Sequence, residues 1–215
     1  MNTCFLVGAA PQAARIAPQP GDFVIAADGG CGHLLQWGLT PDFIVGDMDS
    51  LTVALPHGVP CLTLPAEKDE TDLERAFFEG YSRGMRRFVL TGATSGGRMD
   101  HSVANLQLLV KAAGLGAFAV LRDEAYCATA LVDQGELRLH GSGTVSVFAY
   151  GKEAAGVTIQ GMKYNITGET LKGDAPRGVS NELLGGEGLI TMESGTLLIF
   201  WDAAGVEVIE AMVNI

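Results

Sequence analysis

Six short apolar runs, at 3–7, 23–27, 43–45, 61–64, 88–91 and 118–121, lead into Gly, Asp or Pro and alternate with stretches of helical periodicity. That alternation narrows the fold sharply. A parallel strand pair needs a crossover long enough to hold a helix, so strand–helix alternation of this kind is the pattern of βαβ units and a parallel sheet. Within it, the span 67–84 carries Leu73, Ala76, Phe77, Gly80 and Tyr81 at helical spacing, with Thr71 and Glu74 placed as a capping box. A second helix is expected to start near Asp100, with Val103, Leu106, Leu109, Val110 and Ala113 on one stripe.

From about Glu124 the pattern changes. The runs 126–132, 136–140, 144–150, 157–160, 188–193, 196–201 and 206–213 read as strands between Gly-rich turns, 165–178 reads as a long loop, and no helical pattern remains. The expected architecture is an α/β domain with a parallel, Rossmann-like sheet over 1–124, followed by an all-β sandwich domain over 125–215.

Composition excludes several classes. With 47% hydrophobic and 18% charged residues the chain is too apolar for a disordered one. Only 14 Lys and Arg stand against 25 Asp and Glu, a net charge of −11, so no broad basic face for nucleic acid is expected. A phosphate ligand must then be held by local cations, backbone N–H groups or a metal ion. The four cysteines, Cys4, Cys31, Cys61 and Cys127, are scattered and form no C-x-x-C pair, which removes zinc-ribbon and redox motifs and leaves them as buried small hydrophobes. No basic leader precedes an apolar run and no stretch nears about 18 apolar residues, so a cytoplasmic protein with no membrane partner is expected.

In open parallel sheets, ligands sit beyond the carboxyl ends of the strands, and polar residues there are the first candidates. The second run leads into Asp28-Gly29-Gly30 and the third into Gly46-Asp47-Met48-Asp49-Ser50. Asp47 and Asp49, two apart on extended backbone, point the same way. Either a cation lies between them, for which their oxygens suit Mg²⁺, or one of them simply caps the next turn. In Glu67-Lys68-Asp69-Glu70-Thr71-Asp72, a helix N-terminus accounts well for Glu70 and partly for Asp72. Asp69 and Asp72 can still share a face, with Lys68 beside them as a phosphate cation. The stretch from Thr91 through Gly96-Gly97-Arg98 to Asp100-His101 follows a strand and opens a helix, so it can offer N–H groups and a bidentate Arg98 to an anion. It is neither a Walker A loop nor a dinucleotide fingerprint. His101 serves there either as a packed, hydrogen-bonded ring or as a functional one.

Taken in order, Asp28-Gly29-Gly30, Gly46-Asp47-Met48-Asp49-Ser50, Lys68-Asp69-x-Thr71-Asp72-Leu73-x-x-Ala76 and Gly96-Gly97-Arg98-x-Asp100-His101-x-x-Ala104-Asn105-Leu106 resemble the thiamine pyrophosphokinases. Gly161-Met162-Lys163-Tyr164 and Ser180-Asn181-Glu182 continue the resemblance through the second domain. It implies an ATP-binding α/β domain and a β-sandwich that forms a homodimer, with thiamine held between the sandwich of one subunit and the α/β domain of the other. The implied reaction moves a pyrophosphoryl group from ATP to the hydroxyethyl oxygen of thiamine, giving thiamine diphosphate and AMP. By the same resemblance Asp47, Asp49 and Asp72 hold Mg²⁺, with Arg98 and Asp100 completing the catalytic set. Nucleotide contacts fall on Asp28, Gly29, Gly30, Lys68, Asp69, Thr91, Arg98 and His101, and thiamine contacts on Ser180 and Asn181. Where some members carry an aromatic residue soon after the Ser-Asn pair, this chain has Leu183 and Leu184.

Attack of a neutral alcohol on the β-phosphorus of a polyanion needs charge neutralisation and in-line placement more than covalent catalysis, and such residues supply both. The competing readings are a diphosphokinase for a pterin-like hydroxymethyl heterocycle, a non-catalytic nucleotide sensor, and a carbohydrate-binding sandwich fused to an unrelated α/β domain. The last leaves the Asp pair without a purpose.

Overall fold

The structure is a computed structural model that describes residues 2–47, 54–65, 69–94 and 97–212. Its contacts divide the chain into two compact units, Met1–Leu108 with Ala119–Glu124, and Leu109–Phe118 with Ala125–Ile215.

In the first unit the strands are β1 (Cys4–Val7), β2 (Phe23–Ala27), β3 (Phe43–Gly46), β4 (Cys61–Thr63), β5 (Arg87–Thr91) and β6 (Phe118–Arg122). The helices are α1 (Gly30–Gln36), α2 (Asp72–Ser82) and α3 (Met99–Gly114), whose last turns fall in the second unit. The strand order is β6-β5-β1-β2-β3-β4, and every pair from β5 to β4 is parallel. Alternate residues of β1 face opposite sides. Val7 and the half-buried Phe5 pack with Cys31 and Leu34 of α1. Cys4 lies under Gly80 of α2, where the Phe77 ring packs tilted against Phe88 with centroids 4.6 Å apart. The sheet is thus covered on both faces, which is why its strands read as apolar runs rather than alternating ones.

The expected helix over 67–84 begins only at Asp72, because Thr71 stays extended and its hydroxyl accepts from the Glu74 N–H at 3.1 Å. Helix α1 was not legible: it has seven residues, no side-chain cap and no acidic first turn. Cys4, Cys31 and Cys127 are buried, but Cys61 is exposed, a correction that follows from its place on the short edge strand β4. Burial pushes the Cys4 thiol up to about 12 and also raises that of Cys31.

The second unit is all-β apart from the end of α3: β7 (Tyr126–Val132), β8 (Glu136–Ala149), β9 (Glu153–Gln160), β10 (Ile166–Lys172), β11 (Gly178–Thr191), β12 (Thr196–Asp202) and β13 (Val206–Met212). The order is β10-β9-β11-β8-β12-β7, with β13 also paired to β8. Strand β8 is the hub. One of its edges meets β11 over most of its length, and the other meets β13 through Glu136–Gly141 and β12 through Val145–Ala149.

Two expectations are corrected here. The runs 136–140 and 144–150 are one strand, since Gly141 and Gly143 do not break it. A Cβ at Gly141 would lie 2.1 Å from the Gly205 carbonyl oxygen, so this glycine permits a close backbone approach instead of a turn. The segment 165–178 is no loop either. It holds β10, a polar, mostly exposed strand at the sheet edge with no apolar alternation to betray it. No helix among the described residues is long and apolar enough to cross a membrane.

Candidate active site

Strand β1 has β2 on one side and β5 on the other, so the chain reverses its direction of progress across the sheet at β1. The crevice beyond such a point is where open parallel sheets bind ligands. A cleft of about 440 Å³ opens there, reached by the segment 8–11 after β1, by Asp28 after β2, by Gly92 and Ala93 after β5, and by the start of α2. Arg98, His101 and Asn105 supply its remaining side.

The backbone around the cleft is tightly constrained. A Cβ on Gly8 would meet the Gly92 carbonyl oxygen at 2.4 Å, and one on Gly92 would meet the Gly8 oxygen at 2.3 Å, so only glycines allow these two strand ends to touch. Thr91 is fully buried and donates its hydroxyl to the Ala14 carbonyl at 3.0 Å. Asn105, also buried, donates to the Ala93 carbonyl at 2.6 Å, and Thr94 donates to the buried Asp123 carboxylate at 2.6 Å. His33 Nε2 lies 3.0 Å from the carbonyl of Ala10, a cleft-lining residue that can only accept there, so that nitrogen carries the proton. These anchors hold the cleft loops in place.

Asp28 adopts φ +52°, a left-handed conformation uncommon outside glycine, and its N–H donates to the Val45 carbonyl at 2.7 Å. That bond ties it to β3, one residue short of Gly46-Asp47. The surrounding fold has to hold the strain of a non-glycine residue in that region.

Arg98 sits just before α3, where its carbonyl accepts from the His101 and Ser102 N–H groups. Its guanidinium forms a fork on Asp100, with Nε to Oδ1 at 3.0 Å and Nη2 to Oδ2 at 2.8 Å, and Nη2 also lies 2.7 Å from His101 Nε2. The Arg98 hydrogen bond holds the Asp100 carboxyl down at about 2, and Asp100 in turn raises the Arg98 guanidinium. Both side chains are exposed, so this pair orients Arg98 more than it stabilises the fold.

Of the residues expected from sequence, the cleft brings together Asp28, Asp72, Arg98 and His101, with Glu70 and Thr71 beside them. Asp47, Asp69 and Asp100 are not in its wall, nor are Gly29 and Gly30, which lead into α1. Thr91 supports the loop from within. Asp49 and Lys68 lie outside the described residues. Among the described residues no three His, Cys, Asp or Glu side chains cluster closely enough to hold a metal ion. The segment 8–11 was missed, although Gly8 directly after an apolar run was a usable signal, and Asn105 stood in the Gly96–Leu106 motif without a site role.

In the second unit Ser180 also has a positive φ, +58°, and its N–H donates to the Ser146 hydroxyl at 3.0 Å. Asn181 is buried, and its amide is bonded to main chain. Oδ1 accepts from the Tyr164 and Glu182 N–H groups, both at 2.9 Å, and Nδ2 donates to the Tyr164 carbonyl at 2.7 Å. Lys163 Nζ bonds the Glu182 carboxylate at 3.0 Å.

A parallel sheet with acidic and glycine-rich loops around a cleft at its switch point, in a chain that carries a second, all-β unit, defines a two-unit ligand-binding α/β protein. Known proteins narrow this. The model for "Thiamin pyrophosphokinase, catalytic domain" matches residues 19–118, and that for "Thiamin pyrophosphokinase, vitamin B1 binding domain" matches 136–197. A thiamine pyrophosphokinase of Bacillus subtilis is 27% identical over 183 residues, covering 81% of this chain and 85% of its own. The crystal structure of thiamine pyrophosphokinase from Bacillus subtilis superposes with a TM-score of 0.83 at 24% identity, covering 94% of this chain and all of that one. A thiamin pyrophosphokinase structure from Geobacillus thermodenitrificans gives 0.78 at 26%, covering 94% and 97%. The chain belongs to the thiamin pyrophosphokinase family.

Proposed function

We propose that this chain transfers a pyrophosphoryl group from ATP to the hydroxyethyl oxygen of thiamine, giving thiamine diphosphate and AMP. The observation that carries this reading is the cleft itself: Asp28, Asp72, Arg98 and His101 converge beyond the carboxyl end of β1, inside the span matched by the catalytic-domain model. The vitamin B1 binding model over 136–197 weighs against the pterin-like alternative.

In the transfer, the thiamine hydroxyl oxygen bonds to the β-phosphorus while the bond from that phosphorus to the α–β bridging oxygen breaks, so AMP leaves and the hydroxyl proton is released. The nucleophile is neutral and the donor a polyanion. What the site must do is align them and offset the phosphate charge. Arg98, held by Asp100 and His101, offers a guanidinium of fixed orientation to phosphate oxygens. Asp28, Lys68 and Asp69 complete the nucleotide contacts in this reading. Gly8 and Gly92 let the two strand ends at the cleft close on each other.

The donor chemistry fits Mg²⁺. Asp72 lines the cleft, and the bond from Asp28 to Val45 ties the residue that follows β2 to the strand that leads into Asp47. Carboxylate oxygens are the ligands this hard cation takes. We assign it to Asp47, Asp49 and Asp72, and the ion when bound would neutralise charge on the transferring phosphates.

Several broader assignments belong to the same reading. The first 124 residues form a Rossmann-like nucleotide domain, supported by helices on both faces of the parallel sheet. Residues 125–215 form a sandwich that binds thiamine at Ser180 and Asn181 and dimerises, a reading supported by the pairing of one edge of β8 with both β12 and β13. The enzyme works in the cytoplasm as a homodimer. A coupled assay for AMP release with and without thiamine tests the reaction. Thiamine-dependent AMP is expected, and ADP with thiamine monophosphate as first products would overturn pyrophosphoryl transfer.

A further inference from the structure

Asp123 is a buried carboxylate that the transfer described above does not use. It follows β6, is 3% exposed, and stands outside the residues matched by either family model. Both of its oxygens are engaged: Oδ1 accepts from the Glu124 N–H and Oδ2 from the Thr94 hydroxyl, each at 2.6 Å. Its backbone also bridges to Ala13, just beyond the cleft-lining residues 8–11. Three pieces of chain distant in sequence therefore meet at this one residue. Taking a carboxylate out of water is costly, and what this one provides is a charge-assisted bond to Thr94, roughly twice as strong as a neutral one. Neither Asp123 nor Thr94 lines the cleft, so both can influence a ligand only through other residues.

The Thr94 bond is the last of four successive ties on the chain leaving β5. Thr91 donates to the Ala14 carbonyl, the Gly92 carbonyl accepts from the Ala10 N–H at 2.9 Å, the Ala93 carbonyl accepts from Asn105, and Thr94 donates to Asp123. Arg98 follows four residues later, fixed on its far side by Asp100 and by the first turn of α3. Asn105 closes the interval from within α3, so the chain ahead of Arg98 is pinned to the helix it leads into. Gly97, in that interval, takes φ +80°, and glycine has more backbone freedom to lose on ordering than any other residue. A ligand that has to order such a stretch loses affinity, and anchors formed in advance reduce that loss. We propose that Asp123 is a positioning residue for the nucleotide: through the Thr94 hydroxyl it fixes the chain ahead of Arg98, so that the guanidinium meets the triphosphate with little further ordering. This rests on the reading of ATP as donor and of Arg98 as a phosphate contact.

Equilibrium binding of α,β-methylene-ATP with Mg²⁺ to the full-length protein tests this. The analogue carries carbon in place of the bridging oxygen that leaves in the transfer, and its binding needs no thiamine. Thr94→Val, which keeps the shape and removes the hydroxyl, should weaken binding about tenfold, while Thr94→Ser should stay within about twofold of wild type. Asp123→Asn keeps one acceptor and should weaken it about threefold, and the double mutant should match Thr94→Val instead of reaching the product of the two. In an Arg98→Met background, itself expected to bind more weakly, Thr94→Val should add less than about twofold, because its route to the phosphates is gone. A bond that served the fold alone would move the thermal melt and leave the affinity where it was. If Asp123→Asn does not fold, Thr94→Val and Thr94→Ser decide alone. Unchanged affinity in Thr94→Val, equal losses in Thr94→Val and Thr94→Ser, a multiplying double mutant, or an undiminished step in the Arg98→Met background would each overturn the assignment while leaving ATP as donor. A wild-type protein that does not bind the analogue overturns the ATP reading itself and this inference with it.

Discussion

The two units place their candidate residues in different parts of the strand. In the first, the inner strands of four or five residues are covered on both faces, and the candidate positions come only where each strand stops, at Asp28 after β2, Asp47 after β3 and Gly92 after β5. In the second, β8 and β11 run for 14 residues each, and Ser180 and Asn181 lie within β11 itself. The physics of pairing explains the contrast. A parallel strand buried on both faces cannot carry a polar side chain without desolvating it, so its function moves to the loops at the carboxyl end. An antiparallel strand with one wet face alternates, and can offer every second side chain to a ligand while the others anchor it. One arrangement collects residues from distant parts of the sequence; the other reads them out at i, i+2, i+4.

The sharpest way to break this comparison is at the strand ends. Asp47→Asn or Asp72→Asn should lower AMP formation by about a hundredfold or more with the thermal melt almost unchanged, while Glu70→Gln should stay within about threefold. Mutants of Asp47 and Asp72 that keep near-full activity at ordinary Mg²⁺ would show that these carboxylates only cap their turns.

Mixing two inactive chains separates the units further. An Asp47→Asn chain exchanged with a Ser180→Ala/Asn181→Ala chain should recover up to about half the wild-type activity per heterodimer, because one of two independent interface sites is then free of both defects. Demonstrated exchange without recovery would mean that each subunit completes its own site.

A smaller effect is expected where the first unit relies on local capping. Thr71→Ala removes the acceptor for the Glu74 N–H and should cost about 1 kcal/mol, a fall of about 2–4 °C in Tm for a chain of this size. No shift on calorimetry would place the start of α2 under tertiary control alone.

The smallest effect is electrostatic. Asp100 titrates at about 2 in the folded chain against an ordinary 3.8, with the Arg98 hydrogen bond as the main cause. A depressed carboxyl contributes its stabilisation in full above 3.8 and loses it as the pH falls through about 2, so neutral-pH behaviour is untouched. In Arg98→Met the Asp100 midpoint, followed by carboxyl NMR, should climb toward 3.8. A midpoint that stays near 2 would assign the depression to the helix N-terminus instead.

The same contrast separates what was legible in the sequence from what was not. The six strands of the first unit, α2 and α3 were readable because each is a local pattern: an apolar run ended by Gly, Asp or Pro, or a stripe behind a cap. Asp28, Asp72, Arg98 and His101 were readable as candidates for the same reason, since in a parallel sheet the functional residues follow the strands. The short helix α1 had no such pattern.

What local pattern could not carry was decided by neighbours distant in the sequence. Gly141 reads as a turn until the Gly205 backbone arrives against it, and β10 reads as a loop until β9 pairs with it. Asn181 reads as a ligand contact until the Tyr164 backbone takes its amide. By itself the sequence determined which residues could carry the chemistry and which segments could be strands and helices, because side-chain type and periodicity act within a few residues. Tertiary structure alone decided which polar groups are occupied by main chain and which face a ligand, because hydrogen bonding and close approach are settled between segments that only the folded chain brings together.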